Sequence, residues 1–124
     1  MADEATPELT ILANIFREST CNLALIGAGL SASSGIPTFS GTGATWRGYE
    51  SRSLATPEAF ARQPEVVTEY YREFRERVTA AAPNAGHRGL ARLAQAKPGF
   101  FAVTQNIDGK MGFMITMSHF VKCL

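Results

Sequence analysis

The sequence is poor in the residues that mark metal and disulfide sites. It holds two cysteines, Cys21 and Cys123, and two histidines, His87 and His119. The cysteines form no Cys-x-x-Cys pair and the histidines stand alone, so no zinc site is readable and both thiols read as buried or incidental. No apolar run approaches the ~18 residues that a membrane-spanning helix needs. Charge of either sign is scarce in excess: 12 basic against 11 acidic residues give a formal net charge of +1. That leaves neither the basic footprint of a nucleic-acid binder nor an acidic tail, and no nucleic-acid or membrane partner is expected. The N-terminus lacks a basic residue before Arg17 and carries Asp3, Glu4 and Glu8, unlike a secretory signal or a basic mitochondrial presequence. A cytoplasmic or nuclear location is expected, with a mitochondrial one left open. There is no internal repeat and no low-complexity segment.

What is present is enough for one small domain: 124 residues, 45% of them hydrophobic. The chain is organised around Ala24 to Phe39. Leu23 to Ile26 is a short apolar run that reads as a buried strand. Gly27-Ala28-Gly29, small residues and Gly35 follow it at once. Strand, glycine turn and helix start together form the device by which α/β folds bring backbone N–H groups to a phosphate. A Cβ at Gly27 or Gly29 would hold a pyrophosphate away, and glycine tolerates a positive φ. Alone, Gly27-x-Gly29-x-x-Ala32 fits a plain turn equally well.

Around that stretch the pattern is helical. Thr6 caps and Pro7 opens a helix that ends near Ser19, with Leu9, Leu12, Ile15 and Phe16 on one face as its packing stripe. Residues 39–52 lack periodicity and read as a glycine-rich loop with Trp46 embedded, either a flap or a surface loop with an anchoring aromatic. Thr56-Pro57 starts a short helix. Glu65 to Ala81 forms a longer one with Val66, Val67, Tyr70, Phe74 and Val78 inward. Asn84 caps a helix over 85–96, and Pro98-Gly99 ends it. Phe100 to Val103 is the second strand and delivers Gln105, Asn106 and Asp108 to the carboxyl edge of the sheet.

Two motifs change the weight of the glycine turn. Ser31-Ala32-Ser33-Ser34-Gly35-Ile36-Pro37-Thr38-Phe39 and Thr104-Gln105-Asn106-Ile107-Asp108 resemble, in order, the two signatures of the sirtuins, the NAD-dependent protein deacylases. The resemblance runs from about Leu23 to Gly109. It implies an α/β, Rossmann-like parallel sheet with flanking helices. It also implies a transferase reaction in which NAD and an acyl-lysine protein or peptide give nicotinamide, O-acyl-ADP-ribose and lysine. It assigns Gly27, Ala28, Gly29, Ser31, Gly35, Ile36, Pro37 and Phe39 to the NAD diphosphate and ribose. It assigns Gln105, Asn106, Ile107 and Asp108 to the nicotinamide-ribose site, and makes 39–52, with Trp46, a cofactor-binding loop. Ala55 to Ala61, Tyr70-Tyr71 and Pro83-Asn84-Ala85-Gly86-His87 resemble the class III sirtuins, which remove acidic acyl groups such as succinyl. That class binds the acyl carboxylate with a Tyr-x-x-Arg pair. Tyr71 matches it, Phe74 stands at the Arg position, and Arg75 lies one residue on, so Tyr71 and Arg75 are the candidate substrate pair.

Two departures qualify the resemblance. The family carries Arg after the Phe of Pro-x-Phe, and here the residue is Ser40, with Arg47 the candidate replacement. After Gly109 the family continues into a histidine general base and paired zinc cysteines. Residues 110–124 are instead a methionine-rich tail with no acidic residue, and His119 sits in no family-like motif. The expected organisation is therefore 1–109 as the N-terminal part of a sirtuin-type domain and 110–124 as a divergent tail. Zinc is expected of the family, but this chain shows no ligands for it. The expected activity is weak or absent. The alternative is a non-catalytic NAD- or partner-binding fragment, a dominant-negative isoform that pairs with a full-length homologue. An incomplete parallel sheet is also expected to leave strand edges and apolar faces open.

Overall fold

The computed structural model describes residues 6–41, 44–112 and 120–122. Cys123 and His119 lie outside them. Helix α1 (Pro7–Glu18) starts as its sequence dictates, with the Thr6 hydroxyl accepting from the Leu9 N–H and Pro7 in the first turn. At its other end the Lys97 ammonium donates to the Phe16 carbonyl, placing a cation on the negative end of the helix. The apolar stripe behaves differently from expectation. Leu9, Leu12 and Ile15 are about half exposed, at 55%, 48% and 54%, and only Phe16 reaches the core, where it packs against Phe100.

Strand β1 (Asn22–Ile26) pairs in parallel with β4 (Phe100–Thr104), in the register Asn22 to Phe100 through Ile26 to Thr104. Strand β5 (Phe120–Lys122) adds in parallel on the far side of β4, giving the order β1-β4-β5. The sequence reading of 110–124 contained no strand, because three residues are too few to show a period of two. Between the strands lie α2 (Gly29–Ala32), the hairpin β2 (Thr45–Trp46) and β3 (Tyr49–Glu50), α3 (Ser51–Leu54), α4 (Pro57–Arg62), α5 (Pro64–Ala80) and α6 (Ala85–Ala96). The hairpin is ordered structure inside a segment that reads as loop. Its turn takes positive φ at both Arg47 (48°) and Gly48 (86°), the backbone that matches strand twist in a tight hairpin.

Two cores result. In one, α6 packs Ala91 and Ala94 on the sheet residues Ile26, Phe100 and Ala102, with Met111 closing the end. In the other, Trp46, Leu54 and Ala59 surround Val67 and Tyr70 of α5. The inner face read for α5 is met: Val67, Tyr70 and Phe74 are buried. Among the described residues the sheet is covered on one side. The buried strand read over Leu23 to Ile26 is therefore only half buried: Leu23 (69% exposed), Leu25 (77%) and Phe101 (37%) alternate with the buried positions and face outward, because no described helix packs on that face.

Gly99 is required by space. A Cβ there would lie 2.0 Å from the Thr20 carbonyl oxygen, backbone that cannot rotate away, while Asn22 N–H donates to the Gly99 carbonyl at 2.8 Å. Gly99→Ala is expected to lower stability by ~2 kcal/mol or more, read as a shift in urea midpoint. Gly89→Ala, in α6 with no neighbour within 4 Å of the new methyl, is expected to raise stability by up to ~1 kcal/mol.

Candidate functional site

Parallel pairing brings the two sequence motifs side by side at the carboxyl edge of the sheet. The pairing continues beyond the strands. Gln105 N–H donates to the Ile26 carbonyl at 3.1 Å, and the Asn106 side-chain amide donates to the Gly27 carbonyl at 2.9 Å. Asn106 is itself fixed by its N–H, which donates to the Thr104 hydroxyl at 3.1 Å. The glycine turn and the Gln-Asn-x-Asp loop are thus one hydrogen-bonded unit.

A cleft of about 540 Å³ opens against that unit, lined by Ala28, Gly29, Thr38, Phe39, Ser40, Arg52, Gln105 and Asn106. Gly29 is informative here. Its φ is not positive, and a methyl built on it would meet no atom of the described residues within 4 Å. Neither backbone conformation nor packing demands glycine at this position. What its missing side chain leaves clear is the approach of something outside the protein to the backbone. Gly27 differs, since a Cβ there would meet the Gln105 amide nitrogen at 3.0 Å. The positive φ anticipated for this turn appears instead at Gly35 (84°), where the chain reverses after α2.

Behind the cleft runs a buried polar chain. Asn84 caps α6 by accepting from the Gly86 and His87 N–H groups, and its amide donates to the Leu30 carbonyl at 2.7 Å and to the Ser34 hydroxyl at 2.9 Å. The His87 ring closes the capping box, with Nδ1 accepting from the Asn84 N–H at 3.2 Å. That bond assigns the proton of the neutral ring to Nε2, which faces the Ser31 hydroxyl at 3.4 Å. Ser31 in turn donates to the Asp108 carboxylate at 2.6 Å, and the other Asp108 oxygen accepts from the Lys110 N–H at 2.9 Å. Burial pushes the His87 pKa below its ordinary value, against the opposing pull of the Asp108 charge. The ring is therefore neutral at pH 7, and a single orientation of hydroxyl and carboxylate follows.

The remaining expected residues lie elsewhere. Ile36 is buried beside α2, with its N–H donating to the Ser31 carbonyl. Ile107 is 55% exposed and Pro37 lines a different cleft, with Trp46 and Phe74. Trp46 is a buried anchor of the second core. Its indole N–H donates to Glu73 at 2.6 Å, holding that carboxyl below its usual range. Arg47, the candidate replacement for the missing cation after Phe39, is engaged away from the cleft. It pairs with Glu73 and Glu69 and stacks 4.6 Å over the Trp46 ring. Tyr71 and Arg75 do share a cavity of about 510 Å³, with Thr56, Phe60 and Thr68. Phe74 is buried against Phe39 and Tyr70. Sequence reasoning missed Arg52 and Thr38 as cleft residues and the role of His87; it read Asn84 as the cap of α6, which it is, but not its bonds to Leu30 and Ser34. The only signal for the role of His87 was the Pro-Asn-Ala-Gly-His run. Among the described residues no three His, Cys, Asp or Glu side chains converge on a point that could hold a metal, and no helix is long and apolar enough to cross a membrane.

Comparison with known proteins agrees with this geometry. The Sir2 family profile matches residues 27–112. An NAD-dependent protein deacylase of Aeropyrum pernix is 50% identical over 97 residues, covering 78% of this chain and 40% of that protein. The mitochondrial NAD-dependent protein deacylase sirtuin-5 of Canis lupus familiaris is 42% identical over 98 residues, 76% of this chain and 32% of that protein. Among solved structures, a mutant Sir2 homologue in complex with 2′-O-acetyl ADP ribose superposes with a TM-score of 0.84 at 38% identity, over 90% of this chain and 45% of that one. A Sir2 homolog–NAD complex gives 0.74 at 40% identity, over 83% and 40%. A Sir2 complex with a deacetylated p53 peptide gives 0.79 at 27% identity, over 92% and 46%. The chain thus spans less than half the length of the relatives it matches. With the glycine turn and the Gln-Asn-x-Asp loop both within the residues matched by the family profile, this chain belongs to the Sir2 family.

Proposed function

We propose that this chain provides the NAD-binding part of a protein-lysine deacylase, acting on acyl-lysine in a protein or peptide. The observation that carries the reading is Gly29: a cleft-lining glycine that neither packing nor φ requires, beside a turn held in place by Asn106. The volume and lining of the cleft suit NAD, with Gly29 leaving its backbone clear for a diphosphate and Thr38, Ser40, Gln105 and Asn106 offering polar groups. NAD bound there supplies a ribose carbon that becomes electrophilic as nicotinamide departs. The chain's residues bind and orient. Asn106 spends its amide N–H on Gly27, and among the described residues nothing donates to its Oδ1, which is left to accept from a ligand hydroxyl. The Asp108 carboxylate accepts from the Ser31 hydroxyl and the Lys110 N–H and so fixes the loop that carries Asn106, and aimed dipoles such as the Asn106 amide stabilise a developing cation better than water does. No described histidine can act as general base, because His87 is wholly buried with both nitrogens engaged. Turnover by this chain alone is therefore expected to fall ~10²–10⁴-fold below that of a site with its base in place. Zinc does not fit the described residues, and no step is assigned to it.

The acyl-group preference follows from the second cavity. Arg75 is exposed and its guanidinium makes no hydrogen bond or ion pair among the described residues, and burial pushes the Tyr71 pKa up, so its hydroxyl stays a donor at neutral pH. A cation and a neutral O–H on one wall suit an acyl carboxylate, and we infer a preference for acidic acyl groups.

Titration of ADP-ribose into the chain is expected to shift the amide NMR signals of Gly27, Ala28, Gly29 and Asn106. A spectrum indifferent to the ligand would sink the reading. Asn106→Ala is expected to weaken binding about tenfold, by calorimetry, since it removes both the tie to Gly27 and the acceptor. Arg75→Met is expected to weaken binding of a succinyl-lysine peptide about tenfold and leave an acetyl-lysine peptide unchanged; equal effects on both would remove the preference. The His87 pKa is lowered on folding, so the unfolded chain takes up a proton near pH 6.5 while the folded chain does not. Stability is therefore expected to fall as pH drops below about 6.5, and His87→Gln to flatten that fall, in urea midpoints measured at pH 7.5 and 5.5.

A further inference from the structure

The cleft has one charged side chain in its lining, Arg52, on the short helix α3. Its position is determined from both sides. Ser51 before it is buried and its N–H donates to the Ala44 carbonyl at 2.9 Å, and Leu54 after it is buried in the second core. No other basic residue among the described residues lines the cleft, and several are committed elsewhere. Arg47 is held by Glu69, Glu73 and the Trp46 ring; Arg72 is held by Glu69 and Glu76; Lys97 and Lys110 donate to main-chain carbonyls. Arg52 is exposed and makes no hydrogen bond or ion pair among the described residues. The same cleft is lined by Ala28 and Gly29, where Gly29 leaves its backbone clear of any side chain.

We propose that Arg52 is the anion-binding side chain of this cleft. It pairs with a phosphate of a diphosphate-bearing ligand whose other side lies on the glycine turn, and so makes good the short hydroxyl at Ser40. The inference rests on reading the cleft as the NAD site and adds a specificity-determining residue to it. A guanidinium free of protein partners gives up no ion pair on binding, and its planar fork matches a phosphate's oxygens.

The test is ADP-ribose binding to the full 124-residue chain by calorimetry, with amide spectra confirming the fold of each variant. Arg52→Ala is expected to weaken binding about ten- to a hundredfold, Arg52→Lys less, and the exposed control Arg62→Ala not at all. Raising salt from about 50 to about 500 mM is expected to weaken the unaltered chain more than Arg52→Ala. If Arg52→Ala unfolds, Arg52→Gln and the salt dependence of the unaltered chain decide. Unaltered binding in either Arg52→Ala or Arg52→Gln, or a salt dependence equal to that of Arg62→Ala in the charge-neutralised variant, overturns the role of Arg52 and leaves the NAD reading standing. No binding of ADP-ribose by the unaltered chain overturns both.

Discussion

The structure depends on a parallel strand pair that does not stop at its last residues. Strands β1 and β4 run side by side to Ile26 and Thr104. The ladder then continues into loop territory, first through backbone (Gln105 to Ile26) and next through a side chain imitating backbone (Asn106 to Gly27). Without that last bond the glycine turn and the Gln-Asn-x-Asp loop would be two neighbouring loops. With it they form one wall. The buried chain from His87 through Ser31 to Asp108 braces this wall from behind and connects it to the cap of α6. A single helix start therefore sets the tautomer of a ring, the direction of a hydroxyl and the posture of a carboxylate.

Much of this was legible in the sequence, and the parts that were not share a cause. Local signals worked where local physics decides: Thr6-Pro7, Thr56-Pro57 and Asn84 cap their helices, and the inner face of α5 follows its period. The motifs marked the two loops that the parallel strands bring together at one cleft, because both follow directly on the ends of paired strands. What failed was everything set by distant neighbours. Whether the stripe on α1 is covered depends on what packs there, and periodicity alone does not contain that. Arg47 and Arg52 look alike in sequence. Only the fold shows that one is committed to Glu73 and Trp46 while the other lines the cleft.

The two cores divide the labour. The sheet with α6 supports the backbone side of the cleft, and the α3–α5 group supports Thr38, Phe39, Ser40 and Arg52 by way of the hairpin. Phe39 ties the cleft to α5, with its ring 5.7 Å from that of Phe74. Trp46 therefore matters to the cleft as an anchor, through the wall it holds still.

The strand pairing also orders events in time. Ile26 and Thr104 meet although 78 residues separate them, and the five helices after β1 lie within that span. Closing so long a loop costs entropy that nothing offsets until the strands touch, whereas the capped helices form from near neighbours on much shorter timescales. Helices come first on such a route, and the parallel pair closes late. The wall formed by Gly27 and Asn106 exists only after that closure, so the cleft is among the last features of the chain to come into being.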